Sequence, residues 1–185
     1  MPAQPRAAHP KVRPAAPEDA GTLAQLVAGL MADEGKTNAP PTPAQLAEWL
    51  SGDAPLVEVL LAEAEGGPDG GADGGGDGGA DGGGDGGALG YLAFYRAFSL
   101  FRPGPVMLVE NVYVVPRARG SGVGRRLLAA AARTAIARGW GRLELNVAGD
   151  NTQADAAYAA LGFTAPGESV RRLEDAELQA LAGRG

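Results

Sequence analysis

Apolar positions along the chain switch between strand and helix spacing. Lys11 to Pro14 reads as a short first strand, and Pro17-Glu18-Asp19 opens a helix with acids in the first turn, where the helix dipole favours them. Leu23, Leu26, Val27 and Leu30 form its apolar face, and the helix fades near Gly35. Thr42-Pro43-Ala44-Gln45 starts a second helix: Thr42 caps, Pro43 suits the first helical position and Gln45 holds the capping-box position. It runs to about Leu50, before Gly52 and Pro55. Leu56 to Ala64 is a β-type run in which Val57, Val59 and Leu61 alternate with Glu58, Leu60 and Ala62.

Leu89 to Phe98, rich in aromatics, predicts a partner strand, and Pro103-Gly104-Pro105 a turn. Val106 to Val115 is the strongest strand signal, ended by Pro116. A loop over Gly120 to Gly124 leads into a helix to about Arg138, with Val123, Leu127, Leu128, Ala131 and Ile136 on its buried side and Gly139 as its cap. Leu143 to Val147 follows as a strand, then a helix from Thr152 to Leu161, capped by Asn151 or Asp150 and ended by Gly162. Val170 to Leu173 reads as a last strand and Asp175 to Leu181 as a short helix. This order predicts an α/β fold with a mixed sheet, not the strict alternation of a doubly wound fold.

Residues 66–88 interrupt the pattern, with Asp69, Asp73, Asp77, Asp81 and Asp85 spaced by four in Gly and Ala. Apart from Pro68, no apolar side chain larger than Ala occurs there, so the run buries no core and is expected to be a disordered loop inserted in a hairpin. Calcium repeats of this flavour use a nine-residue unit with a periodic large apolar residue, and both are missing. Closure entropy grows slowly with length, so such a loop costs the fold little. Residues 1–10 are expected to be a disordered tail, and 11–185 a single domain.

Charge and composition narrow the chemistry. The formal charge is −6, but without the five run aspartates about −1 remains, which gives no electrostatic case for binding nucleic acid. Cysteine is absent and His9 is the one histidine, which argues against disulfides, a thiol nucleophile, a Ser-His-Asp triad and a histidine-rich metal site. The start lacks the apolar core of a signal peptide and no stretch reaches membrane-spanning length, so a cytoplasmic location with no membrane association is expected.

The chemistry concentrates in Arg119-Gly120-Ser121-Gly122-Val123-Gly124-Arg125, between the strongest strand and a good helix. Glycines let backbone approach a ligand, and a helix start offers unpaired N–H groups to phosphate. Arg119 or Arg125 can add charge-assisted bonds. The dinucleotide pattern fails because Arg125 stands at the third glycine position, and the P-loop pattern fails for want of Gly-Lys-Ser/Thr. The spacing Arg119-x-x-Gly122-x-Gly124 resembles motif A of the GNAT acetyltransferase superfamily. The run from Asn151 through Tyr158 to Gly162-Phe163 resembles its motif B. The two motifs place the resemblance over 106–163. Phe94-Tyr95, Phe101 to Gly104, and Val109-Glu110-Asn111-Val112-Tyr113-Val114 resemble the spermidine/spermine acetyltransferase-like branch, except that Asn111 replaces its second acid.

The resemblance implies a mixed sheet of six or seven strands flanked by helices. It also implies an acetyl-coenzyme A-dependent N-acetyltransferase without a metal, acting on a small primary amine; a homodimer is common in the branch. The cosubstrate would lie on Val112, Tyr113 and Val114, on the loop from Arg119 to Arg125 (Gly120, Ser121, Gly122, Val123 and Gly124 between them), and on Asn151. A Lys-like amine has a pKa of about 10.4, so acetyl transfer needs a proton acceptor. Glu110, an acid in an apolar strand, is the candidate base, with burial expected to raise its pKa. By the resemblance, Tyr158 would be the donor to the leaving sulfur. Asp33, Glu34 and Tyr95, with Phe101, are candidates for the acceptor side. Rival readings are a protein lysine, protein N-terminus or aminoglycoside acceptor, an acyl-coenzyme A sensor without activity, and a structural domain whose loop binds nothing.

Overall fold

The computed structural model describes residues 10–64 and 87–165, with Gly167 and Ala182. The tail over 1–9, most of the Gly/Asp run, and the strand and helix expected over 170–181 lie outside the described residues. Two compact units divide the chain, one through Asn146 and one from Val147.

The first unit is built on strands β1 (Lys11–Pro14), β2 (Glu58–Glu63), β3 (Ala88–Ser99), β4 (Gly104–Val114) and β5 (Leu143–Leu145), side by side in that order. Neighbours are antiparallel except β4 and β5, which are parallel, so the sheet is mixed as predicted. Five strands occur among the described residues, against six or seven expected. Helices α1 (Ala20–Asp33), α2 (Pro43–Trp49) and α3 (Val123–Ala137) flank it.

Tyr113 and Val114 establish that both faces are covered. Successive strand residues point to opposite faces. A Cβ at Gly29 of α1 would meet the Tyr113 hydroxyl at 2.6 Å, and one at Gly124 of α3 would meet Val114 Cγ2 at 3.7 Å. Helices α1 and α3 therefore lie on opposite faces. This explains why Val59, Leu60, Leu61 and Ala62 are all buried in β2, although their alternation with Glu58 reads as a one-sided strand. Tyr91, Phe94, Leu23, Leu61, Leu92, Met107 and Leu127 fill the core, each contributing about 1.5–3 kcal/mol of burial.

Local signals hold at the helix ends. Thr42 accepts from Gln45 N at 3.3 Å while the Gln45 side chain accepts from Thr42 N at 2.9 Å, closing the capping box. Gly139, at φ 69°, ends α3: its N–H reaches Ile136 O at 3.0 Å and that of Trp140 reaches Ala135 O at 2.9 Å. Ile136 itself is exposed, a correction to the expected buried side. The buried arc is Val123, Leu127, Leu128, Ala131 and Ala135, and a turn of about 100° per residue carries Ile136 past it. Ala88 also departs from expectation: it is buried in β3 rather than part of the Gly/Asp loop. Ala64 N donates to Gly87 O at 2.9 Å, closing the hairpin at the two ends of the run.

Arg13 ties β1 to β2 and to the start of α1. It bonds Asp19 at 2.7 and 2.8 Å and Glu63 at 2.9 and 2.7 Å, and Asp19 also accepts from Ala16 N at 2.7 Å. The Arg13 bonds hold the Asp19 carboxyl below its usual 3.8. A depressed carboxylate stabilises fully above its ordinary value and loses that contribution as pH falls through the lowered one. Acid titration of stability should therefore steepen below about pH 4, and Asp19→Asn should flatten this dependence in urea unfolding between neutral pH and acid. In β3, a Cβ at Gly90 would lie 2.3 Å from Tyr113 O and 3.1 Å from Val114 Cα. Backbone cannot yield as a side chain can, so Gly90→Ala should lose about 1–3 kcal/mol, measured by urea unfolding.

Candidate active site

Strand β4 has two edges, and its hydrogen-bond direction decides what each can hold. Met107 N donates to Arg142 O at 2.9 Å, toward the β5 side, and β5 pairs with β4 only from Met107 to Val109. Val115 N donates the other way, to Leu89 O of β3, at 3.0 Å. In an antiparallel ladder alternate residues serve alternate edges. Residues 107 and 115 would thus face the same edge in a regular strand, and they do not. The pairing shows why: Ala93 pairs with Asn111 and Phe94 with Val109, leaving Glu110 as the extra residue of a β-bulge. Beyond the bulge Tyr113 serves β3, while Val112 and Val114 turn their backbone groups to the edge where β5 pairing has ended.

The loop after β4 lies next to this edge. Gly120 and Gly122 have φ of 76° and 86°, in the left-handed region, and Gly122 caps α3. Arg126 N is bonded to Gly122 O at 3.1 Å, so the N–H groups of Val123, Gly124 and Arg125 precede the first intrahelical bond and are available to an anion. The Ser121 hydroxyl donates to Ala118 O at 2.6 Å and so holds the loop's own shape. The Val123 side chain is buried, leaving only its backbone to a ligand. Gly124 packs against Val114. An open groove of about 500 Å³ borders the loop, lined by Ser121, Gly122, Arg125, Arg126 and Arg133 among others.

Arg119 is held from several sides. Its Nε donates to Val114 O at 3.0 Å, its Nη2 pairs with Asp33, and its guanidinium lies 5.9 Å from the centre of the Tyr113 ring. Burial and Asp33 push the Tyr113 hydroxyl pKa up, while Arg119 pulls it down.

Tyr91 pairs with Tyr113 across the strands, ring centres 6.2 Å apart. Its hydroxyl is buried without a hydrogen-bond partner among the described residues. Burial, then Glu34, Tyr113 and Glu110, drive its pKa well above the usual tyrosine value. Tyr95, partly exposed, is raised by burial and by Glu110.

The second unit carries α4 (Thr152–Ala160). The Asn151 side chain accepts from Ala154 N at 3.0 Å, so Asn151 is the cap and Asp150 is not. Gly162, at φ 92°, ends the helix, with Phe163 N bonded to Tyr158 O at 3.1 Å. That turn sets Phe163 edge-on to Tyr158, ring centres 5.5 Å apart. Burial raises the Tyr158 pKa, so its hydroxyl stays protonated at neutral pH.

The model of the acetyltransferase (GNAT) family matches residues 72–163. The chain belongs to the GNAT acetyltransferase family. It is therefore an N-acetyltransferase enzyme, and the family's cosubstrate is acetyl-coenzyme A. No curated protein matches it by sequence. Among solved structures it is similar to an integron cassette protein from the mobile metagenome of V. cholerae, at 20% identity and a TM-score of 0.71 over 94% of this chain and 98% of that one. An aminoglycoside acetyltransferase from an uncultured soil metagenomic sample follows at 17% and 0.69, over 90% and 96%. A ribosomal-protein-alanine N-acetyltransferase from Brucella melitensis biovar Abortus 2308 gives 22% and 0.66, over 89% and 99%. At these identities the likeness is one of fold.

The residues present fit the family's cosubstrate: an outward-facing strand edge suits an extended amide arm, and an adjoining helix start with left-handed glycines suits a pyrophosphate. One expectation is corrected: Glu110 is exposed, because the bulge lifts it out of the ladder, so the expected burial is absent. Asp33, a candidate for the acceptor side, is paired with Arg119. Phe101 is fully exposed at the tip of the β3–β4 hairpin. Tyr91 was not among the expected site residues; its place in the aromatic-rich run of β3 gives no local hint that Glu34 and Glu110 both act on it. Gly122→Ala should strain a left-handed residue by about 1–2 kcal/mol and weaken coenzyme A binding, as read by titration calorimetry.

Proposed function

We propose that this acetyltransferase moves the acetyl group of acetyl-coenzyme A directly to a small primary amine, polyamine- or lysine-like, in the manner of the spermidine/spermine acetyltransferase-like branch. The observation that carries the acceptor class is the joint action of Glu34 and Glu110 on the buried Tyr91. Two acids and the exposed ring of Tyr95 suit a protonated amine better than an anion or an apolar group.

Acetyl-coenzyme A supplies an activated acyl group on a good leaving thiol. Val112 and Val114 offer backbone groups along its arm, and an N–H of this edge polarises the thioester carbonyl. The loop from Arg119 to Arg125, with its helix start, takes the pyrophosphate, and Asn151 assists. Glu110 takes the proton of the attacking amine, directly or through water, from a solvent-accessible position. Tyr158, protonated at neutral pH, donates to the departing sulfur. The homodimer common in the branch would use the exposed Phe98, Leu100 and Phe101 of the β3–β4 hairpin.

The similar structures include enzymes named for aminoglycosides and for a ribosomal protein's alanine. A panel of spermidine, lysine, thialysine, an aminoglycoside and N-terminal peptides, with thiol release as the readout, should show turnover on the small amines. Turnover confined to peptides or the aminoglycoside would overturn the acceptor class. On the best amine, Tyr158→Phe and Glu110→Gln should each lower kcat by about 100-fold. Parent-like rates in both would remove these roles.

A further inference from the structure

Asp33 and Arg119 are 86 residues apart in sequence, yet their side chains pair. Asp33 is the last residue of α1, and Arg119 precedes the glycine loop. Helix α1 is fixed on the sheet by the buried Leu23 and Leu26, and Gly29 admits the Tyr113 hydroxyl beneath it. The carboxylate at its end is thus attached to a rigid element. Arg119 meets three partners: Val114 O at Nε, Asp33 at Nη2, and Tyr113, whose ring centre lies 5.9 Å from the guanidinium carbon.

We infer that Asp33 is a positioning residue for Arg119, holding the guanidinium beside the phosphate loop before the cosubstrate arrives. The inference rests on the reading that the loop and Arg119 take the pyrophosphate. Two effects of the carboxylate oppose each other. It competes with phosphate for the same cation, and it removes the rotamer freedom that Arg119 would otherwise lose on binding. An exposed ion pair is weak, so the competition is small. Ordering a long side chain in advance is worth as much or more, because that entropy is no longer lost on binding. Positioning therefore wins, and Asp33 tightens binding although it is an acid beside an anion site.

The test is the Kd of coenzyme A by titration calorimetry, which needs no acceptor. Asp33→Ala should raise it about three- to tenfold, and Asp33→Glu, which keeps the carboxylate, should restore it to within about twofold. Arg119→Ala should raise it at least as much, and Asp33→Ala with Arg119→Ala together should do no more than Arg119→Ala alone. Thermal midpoints without ligand separate loss of fold from loss of positioning. If Asp33→Ala proves unstable, Asp33→Asn carries the same comparison. An unchanged or lowered Kd in the Asp33 variants, failure of Glu to rescue, or additive effects in the double variant would overturn the positioning role. An unchanged Kd in Arg119→Ala would overturn the pyrophosphate reading itself, which is a different result.

Discussion

A strand residue can direct its N–H and C=O to one neighbour or the other, never to both. In β4 this choice changes at Glu110, where one extra residue enters the ladder with β3. Before the bulge, the outward groups are taken up by β5; after it, Val112 and Val114 present theirs beyond the end of β5. Without the extra residue Asn111 and Tyr113 would face that edge instead. Tyr113 could not then lie beneath α1, and Val114 O would not receive Arg119. The same irregularity puts a carboxylate in reach of solvent at the end of the β4–β5 pairing.

Close approach on both sides of this strand holds the arrangement. Gly29 lets α1 settle on the Tyr113 ring and Gly90 lets β3 come up to the Tyr113 carbonyl, while Gly124 of α3 lies near Val114 with room to spare. Gly29 and Gly90 each lack a Cβ where another residue's atoms need the space. Protein interiors resist small displacements because they are close-packed. The pitch of the β4 edge and the start of α3 are therefore set together.

Much of the frame was legible because its signals are local. The capping box at Thr42, the turn glycines 139 and 162, and the glycine loop after a strong strand each act within a few residues, and each appears where its sequence places it. The motif spacing that suggested the family is of the same kind. What was not legible depends on partners far along the chain. No local pattern marks Glu110 as a bulge, since its neighbours read as an unbroken strand. The pairing of Asp33 with Arg119 joins α1 to the loop across three strands and a helix. Ile136 was misplaced because apolar identity outweighed its angle on α3, where the small Ala135 takes the buried position instead. The two-sided burial of β2 depended on helices that its own alternation does not announce.

The bond from Ala64 to Gly87 has a further meaning. It closes the β2–β3 ladder before the Gly/Asp run begins, and the last paired residues, Glu63 and Ala88, are fixed by the sheet. Among the described residues no ladder bond of this hairpin lies between those clasped ends. A foreign domain whose own ends lie close together could therefore be spliced there without parting β2 from β3.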